Sequence, residues 1–258
     1  METATSADGT MIAFQRVGQG TPVLIVGGAF STASAGMPLA SALAEAGFQG
    51  VTLDRRGRGE SGDTAPYAPA REAEDLAAVI AAVGGHAAVL GHSSGAVLAL
   101  FAAGEGVPII HLFLSEPPLR FGENEPAPDL ATRLQALVDE GESGEAVMLF
   151  QREGVGLPDA LIEQIRLSPM FDSLVDVAQT TVYDMEITAS VSTPTAAMVE
   201  VAVPVTILRG EPTMPLLVTA ADQLAKLMPQ AELVIVPESH DHGVDPAGTA
   251  REVALRLG

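Results

Sequence analysis

A chain of 258 residues with 47% apolar and 18% charged side chains is long enough to bury roughly three quarters of its unfolded surface around one core with an inserted subdomain, and it is too apolar for a disordered or fibrous protein. The 13 Lys and Arg against 33 Asp and Glu leave a formal charge of −20, a field that repels nucleic acid and anionic membrane and favours a neutral or hydrophobic small-molecule substrate. The absence of cysteine excludes disulfides, thiolate metal sites and a cysteine nucleophile together.

Met1 to Thr10 is polar and acidic and lacks the basic and apolar regions of a secretory signal. The clean apolar stretches, such as Val23 to Val26, fall far short of the ~20 residues that a bilayer span needs, so a cytoplasmic protein without a membrane partner is expected. Met11 to Val17 and Pro22 to Val26 read as strands, each preceded by turn residues, Asp8-Gly9 and Gly18-Gln19-Gly20. Met37 to Ala46 is alanine-rich and stops at Gly47, as a helix with a glycine after its C-cap does. The unit then repeats: strand Gly50 to Leu53, helix Ala70 to Val83, strand Ala87 to Leu90, helix Gly95 to Ala103, strand Ile109 to Leu114. Short apolar strands alternating with helices of ten or more residues imply a parallel sheet covered on both faces, the α/β class.

From Glu116 to Val203 the pattern turns helical, with candidate helices at Asp129 to Asp139, Gly144 to Gln151, Asp159 to Leu167 and Asp172 to Tyr183. Alternation resumes with Val205 to Leu208, Leu217 to Met228, Glu232 to Val236 and Ala247 to Leu257. The expected organisation is a core of residues 1–116 and 203–258 carrying a helical lid of residues 117–202. Met148, Phe150, Met170, Phe171 and Met185 are its apolar candidates for a pocket roof, against the plainer alternative that they pack lid on body.

Gly91-His92-Ser93-Ser94-Gly95 stands immediately after a strand and before a helix. A nucleophile elbow requires this context, because its serine occupies a strained turn and the flanking glycines leave room for the neighbouring strand and helix. Ser93 needs a base to take its proton. Of the five histidines, His86 and His111 lie at strand entrances on the far sheet edge. His92 is inside the elbow, where packing or substrate contact is expected. His240 and His242 follow the last strand on the same edge as Ser93, and His240 is favoured because it comes sooner.

Together with Gly27-Gly28-Ala29, Asp54-Arg55-Arg56-Gly57-Arg58-Gly59-Glu60-Ser61-Gly62, Ser115-Glu116-Pro117-Pro118 and Ser239-His240-Asp241, the elbow resembles the α/β-hydrolase superfamily, particularly small actinobacterial-type serine hydrolases. The resemblance spans almost everything outside the lid and implies a mostly parallel eight-stranded sheet with His240 as base. It gives the Asp54–Gly62 loop a structural role. The acid usual after the seventh strand is missing, since Thr213 stands where G-x-x-D would place it. Glu116, directly after the sixth strand, is the expected replacement, as in zearalenone-lactone hydrolases and pancreatic-type lipases, with Glu211 as the alternative. The oxyanion hole would be the N–H groups of Ser94 and Ala29, with Phe30 as runner-up and a candidate substrate contact. No cofactor is expected.

The expected chemistry is acyl transfer on an ester, lactone or thioester, with activity rising as the base loses its proton near pH ~6–7. A non-hydrolytic receptor or cyclase scaffold, and carbon–carbon bond hydrolysis or lyase chemistry with the same triad, are the alternatives.

Overall fold

The computed structural model describes residues 1–258. Along the chain run β1 (Glu2–Thr5), β2 (Met11–Gly18), β3 (Pro22–Val26), α1 (Met37–Glu45), β4 (Gln49–Leu53), α2 (Pro69–Ala82), β5 (Ala87–His92), α3 (Ser94–Gly104) and β6 (Ile109–Ser115). An insertion follows, with α4 (Leu130–Asp139), α5 (Ser143–Leu149), α6 (Asp159–Arg166), α7 (Phe171–Val175), α8 (Gln179–Ser190) and α9 (Ala196–Val199). The chain then returns through β7 (Val205–Gly210), α10 (Pro215–Leu227), β8 (Glu232–Val236) and α11 (Pro246–Leu257). All eight strands join one sheet in the order β1-β2-β4-β3-β5-β6-β7-β8, with β2 antiparallel to both its neighbours, β1 and β4, and every other pair parallel.

The central strands are buried along nearly their whole length, which is why they read as short continuous apolar runs rather than as alternating ones. Leu39 and Leu43 of α1 and Val253 of α11 cover one face, against Val23, Ile25 and Leu90. Leu76 and Ile80 of α2, Leu98 of α3 and Leu224 of α10 cover the other, against Leu24, Val89 and Leu112. Helix α3 is buried on every side, and its sequence, Ser-Gly-Ala-Val-Leu-Ala-Leu-Phe-Ala-Ala-Gly, is accordingly apolar all round.

Two differences from the sequence-based expectation have local causes. β1 is polar, Glu-Thr-Ala-Thr, with only Ala4 buried; an edge strand with one buried residue carries no apolar run to detect. The helix expected over Asp172 to Tyr183 is two helices. The chain tightens between them through i→i+3 bonds at Val177, Ala178, Thr180 and Thr181, and α8 continues to Ser190. Helix α5 also passes into a π-helical turn at Phe150–Val155, a local widening associated with functional positions.

The insertion is not packed as a separate body. Leu130, Leu134, Phe150, Val182, Tyr183 and Met185 form their own cluster, yet Ile187 of α8 and Met198 of α9 belong to the main core beside α3. No helix is long and apolar enough to cross a membrane.

Candidate active site

The parallel strands β5, β6, β7 and β8 end at one edge, and the register carries three chemical groups to it. His92 is paired with Ser115, Ser115 with Leu208, and Gly210 with Val236. The residue after each of the first two strands, Ser93 and Glu116, therefore stands in adjacent positions. Ser93 itself bends the chain, with φ 56° and ψ −128°, and its N–H donates to the Ser115 carbonyl at 2.9 Å. This is a left-handed conformation that a non-glycine residue adopts only under tight surrounding constraint. The constraint is close backbone packing. A Cβ on Gly95 would collide with the carbonyls of Val26 and Gly27, and one on Gly28 would come within 2.7 Å of the Ser93 Cβ.

The imidazole that reaches Ser93 is His242, and this corrects the expectation of His240. His242 Nε2 lies 3.0 Å from Ser93 Oγ, and His242 Nδ1 lies 2.6 Å from Glu116 Oε2. The His240 ring is exposed and instead meets the Glu211 carbonyl at 3.1 Å through Nδ1. The reason is the shape of the loop. Asp241 N–H is tied to the Pro212 carbonyl at 3.0 Å, and Gly243 N–H to the His240 carbonyl at 2.7 Å. Asp241 and His242 both adopt positive φ, 51° and 65°. The chain thus turns back over the sheet edge two residues later than proximity to β8 suggests. Aspartate and histidine are among the non-glycine residues that tolerate this region best, which is the one signal in Asp241-His242 that favoured the second imidazole.

Glu116 is 2% exposed, and its other carboxylate oxygen accepts the Gly210 N–H at 2.9 Å. Burial pushes this carboxyl up, but the hydrogen bonds from His242 and the Gly210 amide outweigh burial and hold it below the ordinary carboxylate range. The Glu211 side chain is solvent-exposed, so the alternative acid does not meet the imidazole. His92, expected to pack or to touch substrate, packs with its ring 4.6 Å from that of His242 and also lines a second cavity. Burial and then the neighbouring His242 push His92 down to about 4, so it remains uncharged beside the base. His111, assigned a structural place, bonds Thr206 Oγ1 at 3.0 Å and stacks on Phe113.

Ser93, Ser94, Ala29 and His242 open onto a cavity of about 80 Å³ whose walls combine apolar side chains, including Phe150, Met185 and Leu217, with the charged Arg120, Glu125 and Asp184. Ser94 begins α3, where a backbone N–H has no intrahelical acceptor. The Ala29 N–H makes no hydrogen bond within the chain. Two unengaged donors thus flank the serine. Phe30, at φ 61°, packs edge-on against Phe150 with ring centroids 5.4 Å apart and supports the wall from behind. Met148, Met170 and Phe171, expected in the roof, do not line the cavity. Met170 is 56% exposed, and Phe171 packs beside Val147, Leu174 and Ala178.

Beneath the cavity lies a charged group that sequence reading assigned only a structural loop role. Arg55 forks onto Glu72 at 2.7 Å twice and reaches Asp184 Oδ1 at 2.8 Å; Arg58 meets Asp184 Oδ2 at 2.7 Å. Ser94 Oγ donates to Asp184 Oδ1 at 2.7 Å. Burial pushes the Asp184 carboxyl up, and the Arg58 and Arg55 guanidiniums outweigh it and hold it below its usual range. Two buried guanidiniums require carboxylate partners, but nothing in the sequence around Asp184 of α8 says that it supplies one.

Residues 23–254 match the family model described as Alpha/beta hydrolase family. A solved alpha/beta hydrolase from Sphaerobacter thermophilus is 44% identical, with a TM-score of 0.91 over 98% of this chain and 99% of that one. An esterase from Exiguobacterium antarcticum is 18% identical, with a TM-score of 0.70 over 99% and 97% of the two chains. The enol-lactonase from Burkholderia xenovorans is 19% identical, with a TM-score of 0.68 over 98% of each. No curated protein matches the sequence.

Proposed function

The chain belongs to the alpha/beta hydrolase family, and from that premise we propose that it is a serine hydrolase cleaving an ester, lactone or thioester through an acyl-enzyme on Ser93, with His242 as base and Glu116 as the acid that orients it. The observation that carries this reading is the unbroken relay from Ser93 Oγ to His242 at 3.0 Å and from His242 to Glu116 at 2.6 Å. It lies at the floor of a cavity with two unengaged amides beside the serine.

In this reading His242 Nε2 takes the Ser93 proton as Oγ attacks the substrate carbonyl carbon. The carbonyl oxygen gains the negative charge and is met by the N–H groups of Ala29 and Ser94. Glu116 stays ionised, keeps the proton on His242 Nδ1 and stabilises the imidazolium. The leaving alcohol or thiol takes the proton from Nε2. Water, deprotonated by the same nitrogen, then releases the acid from Ser93. The steps draw on side chains, backbone and water alone. The narrow cavity favours a small acyl group, and the insertion, through Phe150 and Met185, serves as its roof.

Treatment with a fluorophosphonate should label the protein with one equivalent and should fail to label Ser93→Ala. A panel of p-nitrophenyl esters, lactones, thioesters and β-diketones then sorts substrate class. An unlabelled and inert wild-type protein would overturn the proposal in favour of a binding scaffold, and turnover of β-diketones alone would move it to carbon–carbon cleavage.

A further inference from the structure

We propose that Arg58, anchored by Asp184 of the helical insertion, is a positioning residue for the reaction: it fixes the peptide between Gly28 and Ala29 so that the Ala29 N–H faces the developing oxyanion. The inference rests on the acyl-transfer reading of Ser93.

The geometry runs through one peptide group. Arg58 Nη1 donates to the Gly28 carbonyl at 2.6 Å and to the Ser31 carbonyl at 3.2 Å. The Gly28 carbonyl and the Ala29 N–H are the two ends of the same planar amide. Holding the carbonyl at the guanidinium therefore aims the N–H the opposite way, towards the side on which Ala29 lines the cavity with Ser93 and Ser94. A charged donor on the carbonyl also polarises the amide and strengthens its N–H as a donor, as in any hydrogen-bonded chain in a low-dielectric site. The segment needs such a fixture. It lies outside helix and strand, it carries glycine at positions 27 and 28, and Phe30 next to it sits at φ 61°. The Ser31 N–H also meets the Gly28 carbonyl, at 3.2 Å, so the guanidinium adds to a turn contact; without it, the freedom of Gly28 leaves this peptide an alternative orientation in which the carbonyl points at the cavity.

The second half of the hole is referenced to the same carboxylate. Asp184 Oδ2 holds Arg58 Nη2 at 2.7 Å, while Asp184 Oδ1 accepts Ser94 Oγ at 2.7 Å. Ser94 carries the other donor. One aspartate from α8 thus sets the distance between the two backbone segments that must converge on one oxygen. Arg55 supplies the remaining charge balance: with Glu72 and Asp184 it makes two cations and two anions, so Arg58 is held in a neutral group and is not drawn towards a substrate. A lysine at position 58 keeps the charge but has one nitrogen, which cannot serve Asp184 and the Gly28 carbonyl through separate arms.

The test is Arg58→Lys, compared with wild type on the best ester of the panel, with kcat normalised to active sites titrated by fluorophosphonate. Expected are a fall in kcat of about 10- to 100-fold, approaching the loss of one oxyanion donor, a KM within about threefold, and an unshifted pH profile, because the His242–Glu116 pair is untouched. A merely structural role would lower the titrated fraction and the melting temperature and leave the normalised kcat alone. That result would overturn the proposal. Should Arg58→Lys not fold, Asp184→Asn decides in its place: the same split between kcat and KM supports the assignment, and a wild-type kcat overturns it. A wild-type protein that is neither labelled nor active would instead sink the reading of Ser93 on which this one stands.

Discussion

Two imidazoles two residues apart meet different surroundings. His242 is enclosed by Ser93, Glu116 and the ring of His92, whereas His240 is held at the surface by a backbone carbonyl. Replacing His242 with alanine should lower kcat by about 10³- to 10⁴-fold or more, since a triad acts as a unit, while His240→Ala should stay within about twofold, measured on one activated ester. Equal losses in the two variants would contradict the assignment. Glu116→Gln preserves shape but offers an amide where Nδ1–H needs a carboxylate, so kcat should fall by roughly 10²- to 10⁴-fold with little change in KM. Because hydrogen bonds keep Glu116 below the ordinary carboxylate range, its deprotonated form persists through mildly acid pH, and the acid limb of activity should follow the base.

Helix α8 is the element that departs most from a detachable lid. Thr180, Thr181, Tyr183, Asp184, Met185 and Ile187 are all buried, and Tyr183 stacks on Tyr67 with ring centroids 4.0 Å apart. A helix buried on several faces has no single apolar stripe, which is why periodicity misplaced both its start and its end. Ile187 is fully buried in the main core, so Ile187→Ala should destabilise the whole protein by about 2–5 kcal/mol in denaturant unfolding. A single cooperative transition is expected. An independent early transition of the insertion, with the core unaffected, would show that α8 is not integral to the body.

At the scale of the whole molecule, the formal charge of −20 makes acidification a reduction of self-repulsion, yet two histidines work against it. Burial, the first cause in each case, pushes both His92 and His111 down to about 4. The unfolded chain therefore binds their protons more readily than the folded one does. Their contribution to stability is present above pH ~6.5, the unfolded value, and is lost as pH falls towards 4. The melting temperature should decline over that interval, and His111→Gln should flatten the decline. An identical slope in the variant would refute this account.

The alternation of strand and helix, the sharp turn at Ser93 and the position of Glu116 at the same sheet edge were readable in the chain because each depends on local order: an apolar run, a glycine on either side of a serine, a carboxylate directly after a strand. Which of two loop imidazoles faces the serine, which side chains of the insertion reach the cavity and where Arg58 finds its counter-ion were decided only in three dimensions. Those outcomes depend on positive-φ turns at residues 241 and 242 and on a partner 126 positions away along the chain. Local patterning records whether a residue prefers burial and regular structure. It holds no information on which distant group will satisfy a buried charge once the chain has closed around it.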